Sequence, residues 1–127
     1  MQIILTVKEV EHVIHTALCN ALGTGYMTGH GLLFDKEATN YSKYRAEGDC
    51  LEEVIMKALK AGEAFHMVDD EGDDDEYNAS FTLTQAKERL KAEAISNNVM
   101  NIINEEDDAE DADCILQWCL YEDIVFG

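Results

Sequence analysis

An apolar stripe at helical spacing near the start of the chain sets the first limit on how it folds. The stripe consists of residues that recur every three or four positions, namely Val7, Val10, Val13, Ile14, Ala17, Leu18, Ala21 and Leu22. This spacing places all of them on one face of a helix, which must pack against other elements. Thr6 and Glu9 have the spacing of a capping box, and Gly23 is a C-cap candidate. The sequence therefore predicts a helix between Thr6 and Gly23.

Three further helices are predicted from the same kind of pattern. The second has Asp49 as its N-cap and ends at Gly62, the third has Thr84 as its N-cap, and the fourth begins near Asp111. Their apolar stripes are Leu51, Val54, Ile55, Ala58 and Leu59 in the second, Ala86, Leu90, Ala94 and Ile95 in the third, and Ile115, Leu116, Cys119 and Leu120 in the fourth. Residues 99–103 either continue the third helix or form a separate element.

The strands are predicted from shorter apolar runs. Residues 64–68 and 77–83 are expected to form a hairpin around the acidic turn 69–76, and residues 1–5 are a candidate first strand. Residues 23–48 are rich in glycine and are expected to form an ordered loop whose strand content the pattern leaves open. We therefore expect an α+β fold, with three to four helices packed on a small, mostly antiparallel sheet, in a single domain that spans residues 1–127.

The core of this domain is expected to include Trp118. It lies three residues after Ile115 on the fourth predicted helix, so we expect it to pack against the core near Leu116 and Leu120. The four cysteines, Cys19, Cys50, Cys114 and Cys119, lie within apolar helical patterns and include no C-x-x-C pair. They are expected to be reduced, small core residues. No run approaches the roughly 18 apolar residues of a membrane span and no signal peptide is visible, so we expect a cytoplasmic protein.

Candidate motifs for metal, nucleotide or nucleophile chemistry are incomplete. The acidic run 69–76 lacks the EF-hand spacing, because Gly72 is its fourth residue and not its sixth. His12 and His15 are three apart, but no third ligand motif accompanies them. The glycine-rich segment 23–31 follows a helix, whereas a phosphate loop precedes one. No serine lies in a nucleophile elbow and no cysteine lies in an electropositive setting. We therefore predict no metal, no cofactor and no enzymatic activity.

Charge is the unusual property of the composition. The chain has 9 basic and 27 acidic residues, which gives a net charge of −18, whereas a magnitude of roughly 2 to 8 is enough to keep a small domain soluble. Such self-repulsion destabilises a compact fold, so we expect the charge to be used; the alternative is an adaptation to a very salty medium, as in a halophile. Most of it lies in two runs, with seven acids among the eight residues 69–76 and seven among the nine residues 105–113.

The density of this charge is close to that of duplex DNA. A compact domain of this length is roughly 35 Å across, and duplex DNA of that length carries about 20 phosphate charges. An acidic protein of this kind can compete for a DNA-binding groove by Coulomb attraction without copying any base. The alternative is that both runs are solvated turns with no partner. The candidate contact residues are Asp69, Asp70, Glu71, Asp73, Asp74, Asp75 and Glu76 in one patch, and Glu105, Glu106, Asp107, Asp108, Glu110, Asp111 and Asp113 in the other.

The C-terminal sequence DADCILQWCLYEDIVFG, residues 111–127, resembles the ending of small acidic proteins encoded by phages and prophages. The order of the parts is similar as well, with a glycine and aromatic segment at 23–26 and Leu83-Thr84 before a helix. The chain departs from the family pattern at 121–123, where an aromatic residue followed by glycine is expected, and at 23–25, where two adjacent glycines are interrupted. The family has no assigned activity, so the resemblance implies a viral origin and no functional residues.

With a phage origin, the acidity favours a host-defence inhibitor of the anti-CRISPR or anti-restriction type. Such a protein would act in the cytoplasm of the host cell by occupying the basic groove of a nucleic-acid enzyme, and would not itself bind nucleic acid or membrane. One alternative is a protein that sequesters a nucleotide immune signal around Tyr26, in a pocket that uses Arg45, Arg89 or Lys43. The other is a regulatory or assembly protein of the phage, and self-association is left open.

Overall fold

The computed structural model describes residues 4–22, 30–35, 41–69 and 77–126. In these ranges it contains five α-helices, namely α1 (Val7–Leu22), α2 (Leu51–Lys60), α3 (Leu83–Arg89), α4 (Ser96–Ile103) and α5 (Ala109–Tyr121). Three strands are present, β1 (Leu32–Phe34), β2 (Phe65–Asp69) and β3 (Ala79–Phe81), with 3₁₀ helices at Tyr41–Tyr44 and Glu93–Ile95. The predicted α+β class is confirmed. The helix number exceeds the prediction because residues 96–103 form an element of their own.

Helix α1 is the central element of the packing. The capping box predicted at its start is confirmed, since the Thr6 amide donates to Glu9 Oε1 at 2.9 Å and the Glu9 amide donates to Thr6 Oγ1 at 3.1 Å. The inner face of α1 lies along α5, and its flanks contact α2, α3 and α4. The fully buried members of its stripe are Val13, Ile14, Ala17, Leu18 and Ala21.

The sheet is antiparallel, with strand order β1-β2-β3. The predicted hairpin is confirmed, since β2 pairs with β3 and Phe65 lies opposite Phe81. The turn predicted at 69–76 lies outside the described residues apart from Asp69, the last residue of β2. Strand β1 comes from the segment whose strand content was open, and its Phe34 ring lies 5.6 Å from the Phe65 ring. The rings of Phe65 and Phe81 are 5.4 Å apart, so aromatic contacts connect all three strands.

Two predicted N-caps are wrong. The N-cap of α2 is Cys50, and Asp49 lies one residue earlier, where its carboxylate accepts hydrogen bonds from the Ala46 amide and Lys57 Nζ. The N-cap of α3 is Thr82 rather than Thr84, because Thr82 and Gln85 form a complete capping box directly after β3. Strand β3 is correspondingly shorter than the predicted 77–83.

The third predicted stripe is divided between two elements. Helix α3 ends at Arg89, and Ile95 lies in the 3₁₀ helix Glu93–Ile95. Of the candidate first strand 1–5, residues 1–3 lie outside the described ranges and Ile4 and Leu5 have no regular structure. Among the described helices, none has the length and apolar character needed to cross a membrane.

The core is a single apolar cluster between α1, α5, α2 and the sheet. Leu116 and Leu120 are buried in it as expected, and Trp118 is partly buried against the same cluster. The end of α5 reverses at Glu122, which has the left-handed backbone (φ 54°) that favours glycine. The chain therefore turns at a residue other than glycine, and the Glu122 side chain forms an ion pair with Arg89 at 3.0 Å.

Candidate functional site

The connection between α4 and α5 is an exposed acidic turn. We use this name for Glu105, Glu106, Asp107, Asp108 and Glu110, all members of the second predicted patch. Asp107 is partly exposed and the other four are exposed to solvent. The acidic turn thus places five carboxylates within six consecutive residues at one end of two helices.

Backbone hydrogen bonds hold the first half of the acidic turn. The Glu106 amide donates to the Asn101 carbonyl at 2.8 Å, and the Glu105 amide donates to the Ile102 carbonyl at 3.1 Å. These two bonds, with Glu105 in the left-handed conformation (φ 59°), form a Schellman motif at the end of α4. The backbone that presents Glu105 and Glu106 is therefore fixed by the helix that precedes it.

The second half is held by the start of α5. Asp108 is the N-cap, and its carboxylate accepts a hydrogen bond from the Asp111 amide at 2.9 Å. Asp111 completes the capping box by accepting from the Asp108 amide at 3.1 Å. Asp107 accepts a 2.8 Å hydrogen bond from Asn20 on α1. Carboxylates are stabilised at a helix N-terminus by the helix dipole, and the capping hydrogen bonds of Asp108 and Asp111 in turn stabilise the start of α5.

Asp111 itself does not face solvent. Only 7% of the surface of Asp111 is exposed. Its carboxylate accepts hydrogen bonds from Asn98 Nδ2 at 2.8 Å and Asn101 Nδ2 at 3.3 Å. Both asparagines belong to α4, so Asp111 connects α4 to α5. This corrects the prediction that Asp111 contributes to a contact patch, because its acceptor sites are used inside the protein.

Asp113 is buried as well, with 5% of its surface exposed. Its carboxylate lies 2.9 Å from His30 Nε2 and accepts a 2.9 Å hydrogen bond from Gln117 Nε2. Gln117 in turn binds both backbone groups of Phe126, whose ring stacks on His30 at 4.8 Å. We call His30, Asp113, Gln117 and Phe126 the C-terminal latch. It excludes Asp113 from the predicted contact patch, because the side chain holds the end of the chain against α5.

The acidic turn lies away from the described ion pairs. Within the described part of the chain, none of its five carboxylates forms an ion pair. The ion pairs of lysine and arginine lie elsewhere, and they are Lys43–Glu63, Lys57–Asp49, Arg89–Glu122 and Lys91–Glu88. Among the described residues, the acidic turn therefore carries negative charge without an ion-pair partner on a fixed backbone, which an approaching basic surface would meet directly.

The other predicted patch lies almost entirely outside the described residues. Residues 70–76 are not among them, and Asp69 is described only as the β2 residue that pairs with Leu32. The contact role of Asp69, Asp70, Glu71, Asp73, Asp74, Asp75 and Glu76 therefore stays a prediction. Tyr26, around which the alternative nucleotide pocket was predicted, also lies outside the described residues.

The three cations suggested for that pocket do not converge. Arg45 lines a cavity of about 370 Å³ with Phe34 and Tyr41, and donates a hydrogen bond to the Asp49 carbonyl. Arg89 lines a different cavity and donates to the Cys119 carbonyl. Lys43 lies over the ring of Tyr44 and pairs with Glu63. Each cation thus has its own structural contacts, and no two of them form a common anion site.

The four cysteines are free thiols, but the prediction that all are core residues is wrong: Cys119 is buried, Cys19 and Cys114 are partly buried, and Cys50 at the start of α2 is exposed. Cys119 is buried in the core, and its burial raises the pKa of the thiol to about 12. Cys19 is partly buried, with its sulfur 3.8 Å from His15 Nε2, and burial also raises its pKa. In the part of the chain that the structure describes, no group of three histidine, cysteine or acidic side chains is arranged to hold a metal ion.

Comparison of the chain with protein-family models, with curated proteins and with solved structures gave no match. The resemblance of residues 111–127 to phage proteins therefore stays a prediction, and the functional case depends on the geometry of the acidic turn.

Proposed function

We propose that this chain is a phage-encoded inhibitor that uses its acidic surface to occupy the basic groove of a host nucleic-acid enzyme, such as a CRISPR effector or a restriction enzyme. The observation that supports this most is the acidic turn, where five carboxylates without ion-pair partners in the described structure lie on a backbone fixed by a Schellman motif and a capping box.

Rigidity is the reason to prefer a binding function over a solvated acidic surface. Binding loses less conformational entropy when the backbone that carries the contact groups is held in place beforehand. Solubility needs no such arrangement, since charges scattered over the surface serve it equally well. The protein also keeps this cluster despite the repulsion among neighbouring carboxylates, which destabilises the fold.

Charge complementarity also explains how an inhibitor without catalytic groups can be effective. A net charge of −18 attracts a basic groove over a distance of about one Debye length, roughly 8 Å at physiological ionic strength. Electrostatic attraction of this kind raises association rates and fixes the orientation of the two surfaces. The partner would be a basic protein, and the chain itself would bind no nucleic acid.

Two charge-reversal variants test the proposal. The cluster variant replaces Glu105, Glu106 and Glu110 by Lys, and the scattered variant replaces Glu47, Glu88 and Asp123, which are also exposed. Each changes the net charge by +6, from −18 to −12, so an effect of total charge must be equal in both. Asp107 and Asp108 are left unchanged because their carboxylates accept hydrogen bonds that hold the fold.

The measurement is affinity purification from lysate of the infected host with each immobilised protein, followed by mass spectrometry. We expect the wild type and the scattered variant to retain a nucleic-acid-binding enzyme that the cluster variant does not retain, and circular dichroism should show all three folded. Equal retention by both variants, or a partner that has no nucleic-acid groove, would reject the proposal.

A further inference from the structure

A second surface of the molecule is apolar and bordered by lysines, in contrast to the acidic turn. An open groove of about 470 Å³ lies between the start of α1, the end of α2 and the start of α3. None of its described lining residues carries a carboxylate, although the chain has 27 acidic residues. These lining residues are Val7, Val10, Leu59, Lys60, Gly62, Thr82, Leu83, Thr84 and Lys87.

The groove has an apolar floor and an exposed apolar wall. Val10 and Leu59 are buried and belong to the core, so the floor is part of the rigid packing. Val7 is 54% exposed, and Ile4, which lies three residues earlier and outside the groove lining, is 92% exposed. These are the two most exposed large apolar residues of the described structure. Contact with another apolar group would remove this surface from water.

Two lysines from different helices border the groove. Lys60 lies in the last turn of α2 and Lys87 in the last turn of α3, and both are exposed. Neither forms an ion pair with a described residue, in contrast to Lys43, Lys57 and Lys91. Lys60 also lines a neighbouring cavity that contains Glu11 and Glu53, whereas Lys87 does not. Two cations without an ion-pair partner among the described residues, beside an apolar groove, form a local site for an anion.

We propose that this groove binds a small amphipathic carboxylate, whose apolar chain lies between Val7 and Leu83 and whose carboxylate is held by Lys60 and Lys87. The volume lies within the range of small-molecule sites. A second copy of the chain is disfavoured at this face, because a two-fold contact would bring the same two lysines together. The groove shares no residue with the acidic turn, so this proposal does not depend on the proposed function.

The test uses decanoate and its uncharged analogue 1-decanol as probes, titrated below micelle-forming concentration into the ¹⁵N-labelled protein. We expect decanoate to shift the amide signals of Val7, Leu59 and Leu83. Lys60→Gln and Lys87→Gln should each weaken decanoate binding about three- to fivefold and leave decanol binding unchanged, as expected for exposed ion pairs. Lys43→Gln, which removes an exposed lysine outside the groove, should change neither.

Val7→Ser should weaken both probes, since it removes the apolar wall without touching the core. The proposal would be overturned if decanoate shifted signals elsewhere, or if the lysine substitutions affected decanol as much as decanoate. It would also be overturned if an acidic peptide bound the groove and decanoate did not, or if sedimentation showed self-association that Val7→Ser abolished.

Discussion

Replacing Gln117 by Met removes the central group of the C-terminal latch while keeping a side chain of similar length. Gln117 is fully buried on α5. Its Nε2 donates to Asp113 Oδ2 at 2.9 Å and to the Phe126 carbonyl at 3.1 Å, and its Oε1 accepts from the Phe126 amide at 2.8 Å. Methionine can make none of these bonds, so the end of the chain should detach from α5.

The expected cost follows from these three bonds. A buried hydrogen bond contributes about 0.5 to 1.5 kcal/mol net, and partners left without a bond add a desolvation penalty. Part of that penalty is avoided, since the detached Phe126 can be hydrated and Asp113 keeps its contact with His30. We therefore expect Gln117→Met to lower the free energy of unfolding by about 3 kcal/mol, out of roughly 5 to 15 for a domain.

Urea denaturation followed by far-ultraviolet circular dichroism measures this change, with Gln85→Met as the matched control. Gln85 is exposed and accepts one hydrogen bond in the capping box of α3, so its replacement should cost less than about 1 kcal/mol. Hydrogen exchange at the Phe126 amide should accelerate in Gln117→Met alone. An equal loss in both variants, or a loss below about 0.5 kcal/mol for Gln117→Met, would refute the latch.

Three further expectations concern strain and charge. Glu105→Asn should raise the free energy of unfolding by about 0.5 to 1 kcal/mol, since asparagine tolerates the left-handed backbone. The control, Glu106→Asn, removes the same charge without relieving backbone strain. Equal urea midpoints for the two variants would contradict this prediction. Moderate NaCl should raise the melting temperature by screening self-repulsion, and a decrease would refute it. The hydrogen bond from Lys57, followed by that from the Ala46 amide, lowers the pKa of Asp49 from 3.8 to about 2. Asp49→Asn should therefore destabilise the protein above pH 3.8, and progressively less as the pH falls towards 2. Urea midpoints of the variant and the wild type measure this, and a difference between them that did not change with pH would exclude the linkage.

Features whose partners lie close in the sequence could be predicted. Thr6 and Glu9 form their capping box across three residues, and the β2–β3 hairpin joins consecutive apolar runs. The misplaced cap of α3 also had a local signal, because Thr82 and Gln85 have the capping-box spacing whereas Thr84 has Lys87 three residues later. Interactions between residues close in the sequence could therefore be predicted from sequence patterns.

The two buried acids show where such reasoning failed. The carboxylate of Asp113 contacts His30, which lies 83 residues away in the sequence. The neighbouring acids therefore suggested, wrongly, that Asp113 is exposed. Asp111 offered a signal that could have been used, because it lies one turn before the core residue Ile115 on the same helix face. The lysine-bordered groove had no sequence signal, since Val7, Lys60 and Lys87 come from three separate helices.

Competition with DNA on the isolated partner tests whether the acidic surface occupies a nucleic-acid groove. The binding of the chain to the recovered enzyme would be titrated by calorimetry at increasing concentrations of a short duplex DNA that the enzyme binds. We expect the apparent Kd to rise in proportion to the DNA concentration and the cluster variant to bind far more weakly than the scattered variant. A ternary complex of enzyme, DNA and this chain, with an unchanged Kd, would contradict the proposed function.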